Sequence, residues 1–209
     1  MEVTAVVSLD KRRSKVFLEG EPAFVLYRGE IKRYQIEEGE ELSEGQYSQI
    51  LEEILFKRGR ERALYLLKDR DRTENEIRKK LKEGCYPLEV IERTIDFLKE
   101  YHFVDDLDYG RRFIQAYKDK RSRKRLEFDL QQRGLTQEQI RMLMEEGEVQ
   151  EDGQIQAFLK KKGYIPGTCS PKDQARLIAA LARKGFSYDA IYRNLGELKE
   201  DFSGENMLS

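Results

Sequence analysis

The chain has a single histidine, two cysteines, four prolines and a net charge of only -1 across 209 residues. Each scarcity removes a class of protein. With His102 alone, neither a histidine-based metal site nor a serine–histidine–aspartate triad with a spare base can be assembled. Cys85 and Cys169 show no ligand spacing and no disulfide framework. No apolar run approaches the roughly 18 residues that a membrane span requires. Met1 to Leu9 is too short for a secretory leader and carries Glu2, so none is expected and a reducing cytoplasm is the natural compartment. Gly163, Gly167 and Gly185 lack the spacing and the Gly-Lys-Ser/Thr ending of a phosphate-binding loop. The expectation is a protein with no catalytic residues, no metal, no cofactor and no membrane contact. The near-zero net charge argues against a uniformly basic polyanion binder, although it can hide local blocks.

What is present is charge in quantity and apolar residues in rhythm. Charged residues make up 38% of the chain and hydrophobic residues 39%, a balance that suits thin helical layers with much surface. Residues 1–42 read differently from the rest. "EVTAVVS", "SKVFLEG", "AFVLYRG" and "EIKRYQI" are strand-length runs, with a hairpin connection at "EGEPA". They predict a small antiparallel sheet of three or four strands that needs support from the helical part of the chain. From Glu37 to Glu53 there are seven glutamates and no cation, which makes 43–57 an acidic linker helix. Between Lys57 and Arg72 the sign inverts, with seven cations against three acids. This alternation reads either as ordinary helix-surface charge or as an acidic flap that contacts a basic face.

From residue 58 onward the apolar spacing is helical, and the chain repeats itself. Ile77, Leu81, Cys85, Tyr86, Ile91, Ile95 and Leu98 form the first copy. Leu126, Leu130, Gly134, Leu135, Ile140 and Met144 form the second. Leu177, Leu181, Gly185, Phe186, Ile191, Leu195 and Leu198 form the third. The copies are offset by 49 and then 51 residues. Each holds two short helices joined at a small residue, where glycine can adopt the left-handed conformation that closes a helix. A further helix precedes each pair. The expected architecture is mainly α: three tandem three-helix repeats (58–106, 107–150, and 151–209 with a tail) forming an elongated curved array behind the small N-terminal antiparallel sheet.

Specific residues carry a family resemblance. Ala63 to Ile114 contains an "A-x-x-L-L" helix, Arg70-Asp71-Arg72-Thr73 followed by Glu76-Ile77, and Asp105-Asp106 with Tyr109-Gly110. Together with Arg121 to Ile140, this resembles the regulatory protein RecX family over residues 58 to about 200. Cys85 departs from the glycine found in many members, and "YIPGTCSPKD" lengthens the third copy. The resemblance implies three-helix repeats, no catalysis, and modulation, usually inhibition, of the RecA recombinase from within the groove of the RecA–DNA filament; the chain is expected to act as a monomer. It thereby implies a part in recombination, DNA repair and the SOS response. The other class that the residues allow is a direct, non-specific DNA- or RNA-binding helical module acting without RecA.

The residues add one observation of their own. In the first repeat, Thr73-Glu74-Asn75-Glu76 is a capping box that places acids at the positive end of a helix. Ser170-Pro171-Lys172-Asp173 does the same in the third repeat, about a turn earlier. The second repeat breaks the rule. Ser122 can cap, but Arg123, Lys124 and Arg125 fill the first turn, and Lys118, Lys120 and Arg121 precede them. Six cations thus fall within eight residues. Free backbone N–H groups beside arginines suit phosphate or clustered carboxylates. The expected partner- or nucleic-acid-contacting residues are these six, with Arg111 and Arg112 on the preceding helix and Arg70 and Arg72 at the equivalent joint of the first repeat. The alternative is that Glu127, Asp129 or the Glu37–Glu53 segment neutralises the cluster. Tyr117 and Tyr164 are weaker candidates for stacking on bases. Asp105, Asp106 and Asp108 read as a helix cap with acids in the first turn rather than as metal ligands.

Overall fold

The structure is a computed structural model and describes residues 1–147 and 149–196. Leu198 of the third copy lies outside them. Contacts divide the chain into two compact units, Met1–Tyr109 and Gly110–Ser209.

The first unit opens with strands β1 (Val3–Ser8), β2 (Arg13–Leu18) and β3 (Glu21–Tyr27), antiparallel in that order. The β2–β3 connection is the two-residue turn Glu19-Gly20, both at positive φ (50° and 84°), as the hairpin twist demands. Alternation puts Ser14, Val16 and Leu18 of β2 and Phe24 and Leu26 of β3 into the core. The sheet stops at three strands. Three is the lower of the two strand counts expected; the run "EIKRYQI" forms no strand, and helix α1 (Arg28–Arg33) stands at that place in the chain. Its start is fixed by the Glu30 carboxylate, which accepts the Tyr27 backbone N–H at 2.7 Å. Tyr34 and Ile36 then turn into the core beneath the sheet.

Ser43 caps α2 (Glu44–Ile50) through the Gln46 N–H. The helix continues through a π-helical turn, Leu51–Phe56, into α3 (Lys57–Asp69). Ile50, Leu51 and Leu55 close the first core, and Ala63 and Leu66 begin the second. The acidic stretch meets cations of its own unit. Glu53 pairs with Arg33 at 2.9 Å, and Glu52 takes the guanidinium of Arg93.

Helices α4 (Glu74–Glu83) and α5 (Leu88–Glu100) complete the first triplet. The second is α6 (Asp106–Tyr117), α7 (Arg123–Gln132) and α8 (Gln137–Glu146). The third is α9 (Glu151–Lys161), α10 (Pro171–Arg183) and α11 (Tyr188–Asn194). The protein is therefore mainly helical, with a three-stranded antiparallel sheet at its N-terminus. The same closing turn recurs in each triplet. Cys85, Gly134 and Gly185 adopt φ of 56°, 89° and 91°. The next N–H donates back to the helix it follows: Tyr86 to Leu81, Leu135 to Leu130, and Phe186 to Leu181, at 3.2 to 3.3 Å. This is the glycine-type helix stop with its apolar residue folded back. In the first and third triplets the apolar repeat positions line the cores: Ile77, Leu81, Ile91, Ile95 and Leu98 in one, Leu181, Phe186, Ile191 and Leu195 in the other. Leu126, Leu130, Leu135, Ile140 and Met144 are equally buried in the second. Gly110 is a close-approach point, because a Cβ there would lie 2.3 Å from the Leu143 side chain.

Candidate interaction surface at the start of helix α7

The cationic run sits at the joint between α6 and α7, in the second unit. Ser122 caps α7 as expected, accepting the Arg125 N–H at 3.3 Å. Its hydroxyl also donates to the Lys184 carbonyl at 2.9 Å, at the end of α10. The Ser122 oxygen lies 2.7 Å from where a Cβ on Gly185 would be, so this contact requires glycine there.

The cations separate into two groups. Arg121, Arg123 and Arg125 have carboxylate partners. Asp129, only 6% exposed, receives Arg121 at 2.6 Å on one oxygen and Arg125 at 3.1 Å on the other. Arg123 pairs with Glu127 one turn on, at 3.1 Å. Its backbone N–H, an orphan donor of the helix start, goes to the Glu151 carboxylate at 2.8 Å. Arg121 is held further by aromatic rings. Its guanidinium lies 3.9 Å above Tyr117 and 5.5 Å from Phe113. Arg133 covers Phe113 from 4.6 Å. Gln154 ties the joint together by donating to the carbonyls of Lys118 and Arg121. Part of the cluster is thus a structural brace, and Glu127 and Asp129 are its neutralising acids.

Lys118, Lys120 and Lys124 are the second group. No ion pair to any of them occurs among the described residues, and Lys120 and Lys124 are exposed. Arg111 and Arg112 are exposed on α6, and Arg111 pairs with Glu146 at 2.8 Å. A groove of about 330 Å³ runs beside them, lined by Arg111, Ile114, Lys118 and Leu143 among others.

At the equivalent joint of the first unit, the two arginines play unlike parts. Arg70 is exposed and makes a long 3.4 Å pair with Glu76. Arg72 is only 10% exposed and donates to the Leu66 carbonyl at 3.0 Å, capping the end of α3. Thr73 caps α4 with a full capping box. The Glu74 N–H donates to Asp106 at 2.9 Å. Burial pushes the Asp106 carboxyl above the ordinary carboxylate range, and the Glu74 charge adds to this against the N–H bond that it accepts. Asp105 caps α6 through the Asp108 N–H.

Tyr117 has its ring face taken by Arg121, and the Tyr164 hydroxyl donates to the Leu195 carbonyl at 2.9 Å. His102 is the left-handed residue that ends α5, at φ 55°. Sequence reasoning missed Glu151 and Gln154, because nothing local marks a residue 28 or more positions away as a capping partner. No cluster of residues able to hold a metal occurs among the described residues, nor any helix long and apolar enough to cross a membrane.

Helix triplets in tandem behind a small sheet, with capped and charge-bridged joints, define a helical-repeat protein. Comparison with known proteins makes the class specific. Residues 60–98 match the first three-helix domain of RecX, and residues 150–195 match its third. The Regulatory protein RecX of Caldanaerobacter subterraneus subsp. tengcongensis is 30% identical over 147 residues, 69% of this chain and 75% of the relative. That of Clostridium acetobutylicum is 28% identical over 218 residues, 99% of this chain and all of the relative. A crystal structure of regulatory protein RecX superposes with a TM-score of 0.60 at 21% identity, covering 94% of this chain and 98% of that one, and shares the fold. The chain belongs to the RecX family.

Proposed function

We propose that this protein is a non-enzymatic regulator of the RecA recombinase, most simply an inhibitor, that binds the RecA–DNA filament in the cytoplasm and so modulates recombination, DNA repair and the SOS response. The observation that carries this reading is likeness over nearly the whole chain to relatives named Regulatory protein RecX. On this chain the contact surface begins with Lys118, Lys120 and Lys124, which have no ion-pair partner among the described residues, and is extended by Arg111, Arg112 and the outer edges of Arg121, Arg123 and Arg125. Arg70 offers a secondary contact in the first unit. Arg72 serves chiefly to end α3.

A second reading is non-specific contact with nucleic acid alone. The three lysines, unpaired among the described residues, favour it, because ammonium groups at a helix start suit phosphates. Against sequence readout, α5 and α8 carry no base-reading set of side chains beside their cations.

The test is inhibition of RecA-driven ATP hydrolysis on single-stranded DNA by the purified protein, with DNA binding titrated in parallel across salt. The triple variant Lys118→Gln, Lys120→Gln, Lys124→Gln is expected to weaken inhibition while helicity stays intact. Tight binding to DNA alone, with RecA activity untouched, would reject the regulator reading in favour of the second one. Undiminished inhibition by the triple variant would remove the lysines from the contact.

A further inference from the structure

The first unit carries an aromatic surface unrelated to the lysines of the second. Tyr101 is 59% exposed and Phe103 49% exposed. Their rings stack with centroids 6.5 Å apart and planes 26° from parallel. Phe97 supports both, 4.8 Å from Tyr101 and 6.2 Å from Phe103. The positions of the two outer rings are set by backbone. Tyr101 is the C-cap of α5, His102 turns through the left-handed region, and the Phe103 N–H donates to the Leu98 carbonyl at 2.8 Å.

Three of the other exposed rings are covered by arginines of this chain, Arg58 over Tyr27, Arg62 over Tyr65 and Arg125 over Phe128, while Tyr188 stacks on Tyr192. Among the described residues, no cation lies over Tyr101 or Phe103. The neighbouring cations are engaged. Arg60 is held between Phe97 and Phe56, Arg93 pairs with Glu52, and Lys99 pairs with Glu74 at 3.1 Å. The neighbouring acids lack a cationic partner among the described residues, although Asp105 accepts the Asp108 N–H. Asp96 and Glu100, on the α5 row next to Phe97 and Tyr101, and Asp105, two residues past Phe103, are exposed and make no ion pair among the described residues. The open rings are therefore flanked along the chain by acids that no cation pairs with among the described residues.

We propose that Tyr101 and Phe103 form a receptor for an arginine-bearing segment of a protein partner. The guanidinium stacks on the rings, and Glu100, Asp96 and Asp105 supply the counter-charge. The same acids repel a phosphate backbone, so nucleic acid is the wrong occupant despite the aromatic surface. The inference does not rest on the RecA reading and concerns residues of the first unit alone.

The test uses the full chain and a fluorescein-labelled octapeptide containing three arginines, followed by anisotropy. Matched peptides carrying lysine or citrulline, and an oligothymidylate of similar size, serve as comparisons. Arginine is expected to bind best, lysine less well, and neutral citrulline at least tenfold more weakly. The variant Tyr101→Leu, Phe103→Leu keeps every charge and should lose about tenfold in affinity for the arginine peptide, in line with two exposed cation–π contacts. Ring proton shifts of Tyr101 and Phe103 in the unaltered protein, on titration with that peptide, read the same contact without any substitution. Equal binding of the citrulline peptide, equal binding by the double variant, or unmoved ring signals would each overturn the proposal. So would oligothymidylate shifting those ring signals in place of the peptide.

Discussion

Replacing Asp129 with asparagine separates the structural part of the cationic run from its free part. The Asp129 carboxylate is 9% exposed as a side chain and receives two guanidinium groups, Arg121 at 2.6 Å and Arg125 at 3.1 Å. Asparagine keeps the shape and one acceptor but removes the charge. The Arg121 bond is the larger loss, because Arg121 is two-thirds covered and lies against Tyr117 and Phe113. A charge-assisted hydrogen bond in such a setting contributes about 1.5–3 kcal/mol. Arg125 is more than half exposed, so its pair is screened and adds only about 0.3–0.5 kcal/mol. The expected loss is about 2 kcal/mol. It is read as a fall of roughly 1 M in the urea midpoint followed by circular dichroism at 222 nm. Arg121→Gln combined with Asp129→Asn should show coupling of about 1 kcal/mol or more in a double-mutant cycle. Asp129→Asn also releases positive charge at the α7 start. Its binding to oligothymidylate or heparin should therefore strengthen, with a salt dependence steeper by about one counterion. A variant as stable as the parent, with no coupling to Arg121, would refute the brace.

Three further outcomes are expected. Cys85→Gly should stabilise the protein by roughly 0.5–1 kcal/mol in urea unfolding, because Cys85 holds φ 56° where Gly134 and Gly185 serve in the other triplets, and the relief exceeds the extra unfolded-state entropy. Gly110→Val should destabilise by roughly 1–3 kcal/mol in the same assay, because its Cβ would meet Leu143 at 2.3 Å and Leu135 at 3.2 Å. Asp106→Asn bears on pH. Burial raises the folded-state pKa of Asp106, so its charge costs stability above that value, and the cost vanishes as pH falls through it to the unfolded value. The variant should therefore gain stability relative to the parent at pH 7 and lose that advantage near pH 4, as measured by urea midpoints across pH.

The helical repeats were legible because their signals are local. Ile77 and Leu81, Leu126 and Leu130, and Leu177 and Leu181 are one helical turn apart, and Cys85, Gly134 and Gly185 mark the stops. The caps at Thr73, Ser122 and Ser170 were legible for the same reason. Helix α1 was not, since Ile31, Tyr34 and Ile36 fit a strand as well as a short helix and the deciding contact is the Glu30 carboxylate on the Tyr27 N–H. The π-helical turn at Leu51–Phe56 leaves no mark in apolar spacing. At the candidate surface, cation count alone could not divide Arg121 from Lys120. That division depends on Asp129 being buried and on the Tyr117 and Phe113 rings taking one guanidinium, both products of packing.

The break in the capping rule at Arg123 has a physical resolution in the three joints. The first N–H of α4, on Glu74, goes to Asp106 at the start of α6. The first N–H of α7, on Arg123, goes to Glu151 at the start of α9. In both, a carboxylate from the next triplet's first helix closes the orphan donor of the previous triplet's second helix. Helix α10 begins with Pro171, which has no N–H to close. An acid inside the helix's own first turn is therefore not obligatory, because the favourable charge at the dipole's positive end arrives from a neighbouring element. In the first joint, Glu74 is a second acid beside Asp106, and the two carboxylates repel, which contributes to the raised Asp106 pKa. In the second joint the residue that donates to Glu151 is Arg123, which brings no like charge to that carboxylate, and its guanidinium pairs with Glu127. The cations at the α7 start are thus compatible with folding, and the position is free to carry a positive charge outward wherever an internal carboxylate does not claim it. Lys124, beside Arg123 and without such a partner among the described residues, is where that freedom is available to a partner.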